Sequence, residues 1–520
     1  MSSLVPTQLS TTNAALGAGT IVVLLLLRTY WIARNHVPPG PRPLPIIGNV
    51  LDMPQSQFAL TWTKFGEQYG PMTWLAIPGQ PFLILNSLEA AKELLGGRGS
   101  IYTDRPRFTM ATDLMGFESL TPLSRSNSAW RSQRTLLKHA LSVEVIKRDY
   151  SALISRKVGE YINGLLSRPE TFLGDLHRTI AETVVELTYG KREDSAGRDF
   201  VQLNAHITDI LDRGMQGYVV DLVPAVKYLP SWLPGMKFKR DAAKWKKESD
   251  DLRERMFGSV KDSMARGDTS IESSFMLNNL KALYQNQSSS ESVQQAVEGG
   301  QTINHTGFSF YISGVETITN AMRAFLLAMV LFPSVQEKAR AEIDRVIGSE
   351  RLPTLDDEQN LPYLQAVLLE VLRWSPGSAG GVPHASIKDD VYNGYFIPRG
   401  TAVIANTWGI TRNPKHYTNP SAFDPERYLK PDPELDPREY AFGYGRRACP
   451  GFELTFRIAW LMASSILWSF RLRRSASDTR PLDTDADRFN ITVLCSPVDF
   501  KCDFIPSQVG LNEKLDFSVH

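Results

Sequence analysis

The chain is poor in cysteine, with Cys449, Cys495 and Cys502 the only three among 520 residues. An odd count at wide spacing argues against a disulfide framework and for a reducing compartment, and Cys495 and Cys502 are expected simply to pack. Net charge is also lacking: 57 Lys and Arg against 56 Asp and Glu leave +1. That removes the electrostatic reason to expect a nucleic-acid partner. Neither internal repeats nor low-complexity linkers divide the sequence, and 42% apolar residues can build a sizeable core.

Charge is missing altogether from Met1 to Leu27, and Ala14 to Leu27 is strongly apolar, with Tyr30 and Trp31 suited to a membrane interface and Arg28, Arg34 and Arg42 downstream. Residues 1–36 are therefore expected to form a single-pass N-terminal membrane anchor, with a signal peptide as the competing reading. The positive-inside tendency then turns the body toward the cytosol, where the sequons at Asn286, Asn304 and Asn490 would stay unmodified. Residues 37–48 hold Pro38, Pro39, Pro41, Pro43 and Pro45 and are expected to be a stiff proline-rich hinge. Residues 49–520 would be one catalytic domain.

Within that body most segments have helical period, clear cases being Ser128 to Ala140, Asp241 to Arg266, Ser292 to Leu331 and Ser334 to Ile347. Strand signals are few. Residues 74–77 with 81–85 predict one hairpin, and residues 395–398 with 401–404 a second. The serine-rich stretch 285–295 reads as a surface loop. Residues 218–236, apolar and carrying Pro224, Pro230, Pro234 and Trp232, expose more apolar area than an ordinary loop needs.

The chemistry concentrates at Phe442-Gly443-Tyr444-Gly445-Arg446-Arg447-Ala448-Cys449-Pro450-Gly451. One cysteine sits on a glycine-relieved loop before an apolar helix expected from Phe452 to about Phe470. Gly445 permits a tight turn, and Gly451 leaves room for a flat macrocycle. A sulfur at a helix N-terminus is biased toward thiolate and can hold haem iron. Gly443-x-Gly445-x-x-Ala448 also fits a loose dinucleotide-binding pattern, but the proline-spaced loop from Pro431 to Pro437 replaces the strand that pattern requires.

The pattern Phe-x-x-Gly-x-Arg-x-Cys-x-Gly resembles the haem-binding signature of the cytochrome P450 family, matched at Phe442, Gly445, Arg447, Cys449 and Gly451. The resemblance covers nearly the whole chain. It implies a mainly α fold with a minor β-sheet region, the cytochrome P450 fold, behind an N-terminal transmembrane helix. It implies haem b as cofactor, with Cys449 as thiolate axial ligand and Phe442 and Gly451 beside it. Tyr311-Ile312-Ser313-Gly314-Val315-Glu316-Thr317-Ile318-Thr319 looks like the family's oxygen-activation segment, in which Gly314 would open space beside the haem, Thr317 would donate a hydrogen bond and Glu316 would pass protons through water. Ser313 and Ile318 depart from its commonest form. Taken alone, these residues also fit a helix whose Thr317 bonds its own backbone and whose Glu316 joins a surface pair.

By the same resemblance Glu370, Arg373 and Arg427 form a structural triad, and Trp130, Arg134, His384 and Arg447 are propionate partners. Phe108 to Phe117, Phe308, Tyr311, Ile312, Gly377 to Val382 and Phe489 to Val493 would line an apolar pocket suited to a small lipophilic substrate of terpenoid size. The loop 218–236 would dip into the bilayer beside the substrate entrance. Together with Tyr102-Thr103-Asp104-Arg105-Pro106, the cysteine loop is similar to those of fungal microsomal enzymes of secondary metabolism. The implied activity is monooxygenation on the cytosolic face of the endoplasmic reticulum membrane, by a monomer taking electrons from a separate NADPH-cytochrome P450 reductase at a basic patch of Arg446, Lys415, Arg412 or Arg427. Two other readings stay open: a haem-thiolate isomerase or dehydratase needing no external electrons, and a membrane-tethered scaffold.

Overall fold

The computed structural model describes residues 36–507 apart from 55, 194–196, 198, 216, 269–272, 286–291 and 492–493. The expected anchor, except His36, lies outside the described residues, as do the Asn286 sequon, most of the serine-rich loop and the end of the Phe489–Val493 segment. Eleven helices of more than ten residues dominate what is described. They are α1 (Phe58–Tyr69), α2 (Ser128–Ala140), α3 (Ser151–Ser167), α4 (Phe172–Tyr189), α5 (Phe200–Gly214), α6 (Lys237–Ala265), α7 (Phe275–Gln285), α8 (Ser292–Leu331), α9 (Pro333–Val346), α10 (Pro362–Trp374) and α11 (Phe452–Ser469).

Local chemistry sets several of their ends. The Asn127 side chain accepts from Trp130 N–H at 2.8 Å and starts α2, while proline occupies the first position of α9 and α10, where its missing N–H costs no intrahelical bond. α8 is the axle: 40 residues long, it packs against α2, α4, α7 and α11. Its stretch Val297–Leu331 is long and apolar enough to cross a membrane, but most of it is buried in this core. Asn304 is buried there too and donates to Glu254 at 3.0 Å, so that sequon is closed to modification.

The main sheet has strand order β1 (Met72–Leu75), β2 (Phe82–Leu85), β6 (Ala402–Ala405), β3 (His384–Ala385). The first predicted hairpin is present as antiparallel β1 and β2. The second is not: β5 (Tyr395–Ile397) pairs with β4 (Asp390–Tyr392), and β6 runs parallel to β2. Two facts explain the difference. Asn393 and Gly394, at φ 50° and 78°, make the two-residue turn that hairpins favour, and β6 is buried along its whole length, which suits a central strand. The proline-rich stretch is laid along β1 rather than standing free, with Trp74 N–H donating to Pro39 O at 2.8 Å.

A buried charge network fastens the loop that precedes the cysteine. Glu370 and Arg373 on α10 are fully buried and joined through two bonds of 2.7 and 2.8 Å, and Arg427 Nε lies 3.2 Å from the same carboxylate. Arg373 also donates to the carbonyls of Thr411, Pro420 and Ala422, and Arg427 to that of Thr418 and to Glu434. Each carbonyl belongs to the irregular segment 411–434, so the ions replace the ladder bonds that this segment lacks. Removing one partner leaves an uncompensated buried charge at a cost of about 3–5 kcal/mol. Glu370→Gln is expected to lower the melting temperature sharply, measured by thermal melts; an unchanged value would show that the network carries no such load.

Candidate active site

The cysteine loop is shaped by its glycines. Gly443 and Gly445 have φ of 79° and 51°, and a Cβ on Gly445 would meet Leu95 O at 2.9 Å. Cys449 N–H then donates to Phe442 O at 2.7 Å, and Gly451 N–H to the Cys449 sulfur at 3.3 Å, just before α11 begins. Gly451 has ordinary φ, and a Cβ there would touch only this sulfur, at 3.7 Å, so packing within the chain does not require glycine at that position. Phe442 stacks edge-on against Phe452, with centroids 4.8 Å apart.

Cys449 lies deep among protein atoms, yet its residue surface is open, so it borders an interior cleft rather than bulk water. Burial pushes its thiol up, while the Gly451 N–H and the Arg134 guanidinium pull it back toward thiolate. Cys495 and Cys502 are buried, and burial pushes both up to about 12. Of the three, Cys449 alone has an accessible sulfur placed for metal ligation.

Around that cleft the protein collects cations. Arg134, expected one turn along α2 from Trp130, is part-buried, and burial lowers its proton affinity while the Cys449 charge raises it. Trp130 Nε1 is buried with no hydrogen-bond partner among the described residues. Arg447 lies 4.0 Å over the Trp130 ring and is lowered to about 10 by burial and by Arg134. Its donors differ from the expected role: they go to the carbonyls of Thr103 at 2.7 Å, Thr121 at 3.4 Å and Ser124 at 2.9 Å, clamping the 103–124 segment onto the cysteine loop. His384 Nδ1 bonds Tyr102 O at 2.7 Å, and burial together with Arg105 and Arg447 lowers its ring to about 3. It is therefore neutral, with Nε2 remaining for a ligand.

Arg105 belongs to this group, although sequence alone did not single it out. It is buried, donates to the carbonyls of Pro122, Val382 and Pro383 at 2.8 to 2.9 Å, and is held well below its usual range by burial and by repulsion from Arg447 and Arg134. Nothing in Thr103-Asp104-Arg105-Pro106 distinguishes a buried arginine from a solvated one. The nearby Asp104 is engaged by Arg125 at 2.6 Å and by Ser126 N–H at 2.8 Å. Three guanidiniums, an orphaned indole N–H and an imidazole thus converge with little negative charge to balance them. A flat dianion with a metal centre fits: its carboxylates would satisfy the cations and the indole, and its metal the sulfur.

Residues 311–319, expected to be the oxygen-activation segment, are helical and lie in α8, with differences in where their side chains go. Gly314 does not open toward the cleft, because a Cβ there would come within 3.0 Å of Val184 Cγ1; it lets α4 approach α8. Ser313 is open in mid-helix although Ile312, Val315 and Ile318 are buried. Thr317 donates to Ser313 O at 3.1 Å, and Glu316 Oε1 lies 2.9 Å from His177 Nε2. Acid and alcohol are adjacent, and each is held by another partner.

Other expected residues are placed elsewhere. Tyr311 is core, its hydroxyl donating to Phe200 O at 2.9 Å, and Phe489 packs 4.8 Å from Trp374. Gly380 is filled by Trp62, 2.7 Å from its would-be Cβ, whereas Gly377 faces open space. Arg412 is enclosed, 3.2 Å over Trp408 and bound to Asp485, and Arg427 is locked to Glu370, so neither is available to a partner. Arg446 and Lys415 are exposed.

A cysteine offered to a cleft ringed by carboxylate-seeking cations defines a haem-thiolate protein. The family profile described as Cytochrome P450 matches residues 38–501. Curated relatives include "Cytochrome P450 monooxygenase claR" of Ampulloclitocybe clavipes, 35% identical over 98% of this chain and 93% of its own length. "Cytochrome P450 monooxygenase COX2" of Coprinopsis cinerea is 35% identical over 90% of this chain and 89% of the relative. "Tryptamine 4-monooxygenase" of Psilocybe cyanescens is 35% identical over 91% and 94%. A solved zebrafish cytochrome P450 with abiraterone shares the fold, with TM-score 0.68 and 22% identity over 86% of this chain and 100% of that one. The chain belongs to the cytochrome P450 family and is a monooxygenase whose cofactor is haem held by a cysteine thiolate.

Arg105→Lys is expected to keep the charge but lose the fork that ties residues 122 and 382–383 together, weakening haem retention; Arg105→Ala would weaken it further, by about 2–4 kcal/mol for lost charged hydrogen bonds. Haem transfer to apomyoglobin measures this, and equal transfer rates in all three proteins would contradict the assignment.

Proposed function

We propose that the protein inserts one oxygen atom of O2 into a small lipophilic secondary metabolite, using electrons from NADPH delivered by a separate reductase. The carrying observation is the accessible Cys449 sulfur beside the Arg105, Arg134, Arg447 and Trp130 cluster. Haem, when bound, supplies oxygen activation at its iron. Cys449 is its ligand in this reading, with Trp130, Arg134, His384 and Arg105 taking the propionates and Arg447 bracing them. In this reading Ser313, exposed in mid-helix, and Thr317 one turn along α8 serve the cleft. Thr317 exchanges its bond to the Ser313 carbonyl for one toward the reacting site, and Glu316 brings protons to it.

Support for a lipophilic substrate comes from buried Met110, Ala111, Phe308 and Ile312, with part-buried Phe108. The terpenoid reading rests on this apolar character. The name of the Psilocybe cyanescens relative adds indolethylamines to the compounds worth testing.

Membrane association is proposed for the three-part chain of anchor, hinge and catalytic domain. Ile46, Leu51, Tyr228 and Trp232 are each more than 70% exposed. The two runs converge near the β1–β2 turn: Asn49 N–H donates to Ala76 O, and Leu222 O lies 3.0 Å from a would-be Cβ on Gly79. One apolar face of this kind suits the cytosolic surface of the endoplasmic reticulum membrane. Exposed Arg446 and Lys415 remain for an acidic reductase, with the outward Arg131 and Lys138 of α2, a helix free of acids.

Cys449→Ala is expected to abolish the thiolate-type Soret shift of the reduced, carbon-monoxide-treated protein; a preserved shift would contradict the ligand assignment. With a fungal reductase and a panel of terpenoids, indoles and polyketides, Thr317→Ala should keep that spectrum but lose product per NADPH by about tenfold or more, diverting oxygen to hydrogen peroxide. An unchanged product-to-NADPH ratio would remove Thr317 from proton delivery.

A further inference from the structure

His177 is the second helix's contribution to the acid of the oxygen segment, and no motif announced it. It sits on α4 between core residues, with Leu176 and Ile180 buried and its own side chain 35% exposed. Gly314 brings α4 close to α8, because Val184 occupies the space where a side chain at 314 would lie. Across this approach His177 Nε2 meets Glu316 Oε1 at 2.9 Å, and Glu316 is 31% exposed. Among the described residues no protein group pairs with His177 Nδ1.

We propose that His177 is a positioning residue for proton delivery, holding the Glu316 carboxylate at the α4–α8 groove and resupplying it with protons from water. This rests on the assignment of Glu316 and Thr317 to proton delivery. Imidazole suits the task because it can accept a proton on one ring nitrogen and release one from the other. A solvent hydronium protonates Nδ1 and Nε2 gives its proton to Glu316 Oε1, leaving the neutral ring with its one proton on Nδ1. Nε2 then takes a proton from solvent as Nδ1 returns one to it, which restores the starting Nε2–H tautomer with one net proton delivered. Nothing is oxidised or reduced.

The surrounding charges leave this route to His177. On α4, Arg178 is bound to Glu182 at 2.9 Å. On α5, Asp209 is bound to Arg213 at 2.9 Å, while Asp212 faces Glu316 and holds its proton more tightly than an ordinary aspartate, through burial and the Glu316 charge. Farther along α8, Arg323 is bound to Asp499 at 2.5 Å. Among the described residues the histidine is therefore the one hydrogen-bonded side-chain partner of Glu316, and no cation is held against the carboxylate to lock it permanently.

The test uses haem-loaded full-length protein with a fungal reductase, turning over NADPH and O2 without added substrate from about pH 6 to about pH 8. Hydrogen peroxide released per NADPH is compared among wild type, His177→Gln, Glu316→Gln and the double variant. His177→Gln is expected to raise the peroxide fraction several-fold and to flatten its pH profile; Glu316→Gln should match it, and the double variant should add nothing. A second readout needs no turnover: in resting enzyme, mass-spectrometric carbethoxylation of His177 should speed up several-fold in Glu316→Ala as Nε2 is released. A wild-type profile in His177→Gln, fully additive effects in the double variant, or unchanged carbethoxylation would each overturn the assignment of His177 alone. Wild-type coupling in Thr317→Ala would overturn the proton-delivery reading beneath it, and this inference with it.

Discussion

Buried like charges repel, and the interior of this protein holds three guanidiniums within electrostatic reach of one another. Arg105, Arg134 and Arg447 are each driven toward lower proton affinity by burial, and Arg105 and Arg447 by their neighbours as well. Such a cluster persists in a folded protein when anions neutralise it. The rest follows from that constraint: α2 supplies Trp130 and Arg134, the 103–124 segment is clamped by Arg447, and α11 starts where Gly451 can donate to the sulfur. Cofactor and fold are therefore coupled through charge as well as through the thiolate.

Much of this was legible in the sequence because it depends on short-range pattern. The cysteine loop, the long helix from Ser292 to Leu331, the Trp130 and Arg134 spacing and the Glu370 and Arg373 pair are local, and the structure brings each together. What failed was mostly direction. Whether Tyr311 or Phe489 turns toward a cleft or into the core depends on which helix or tryptophan lies opposite, and Tyr311 turns to Phe200 while Phe489 meets Trp374. Gly314 has the same lesson, since a glycine's purpose is set by what occupies its missing side chain, here Val184.

Long-range partners were the other blind spot. Arg105 reaches residues 382 and 383, and His177 reaches Glu316 on another helix, at separations that no periodicity reveals. Pairing of β6 with β2 is also nonlocal, whereas the Asn393-Gly394 turn was readable and points to the hairpin that is present. The basic patch shows that a cationic residue type carries no information about exposure: Arg412 and Arg427 are structural, Arg446 and Lys415 open.

Everything in the account turns on iron bound by the Cys449 sulfur, and iron X-ray absorption of the purified ferric protein tests this most directly. A sulfur scatterer beside four porphyrin nitrogens, lost when Cys449 is replaced but kept when Cys495 or Cys502 is, is the result expected. A first shell of nitrogen and oxygen alone, or a sulfur that survives removal of Cys449, would contradict it.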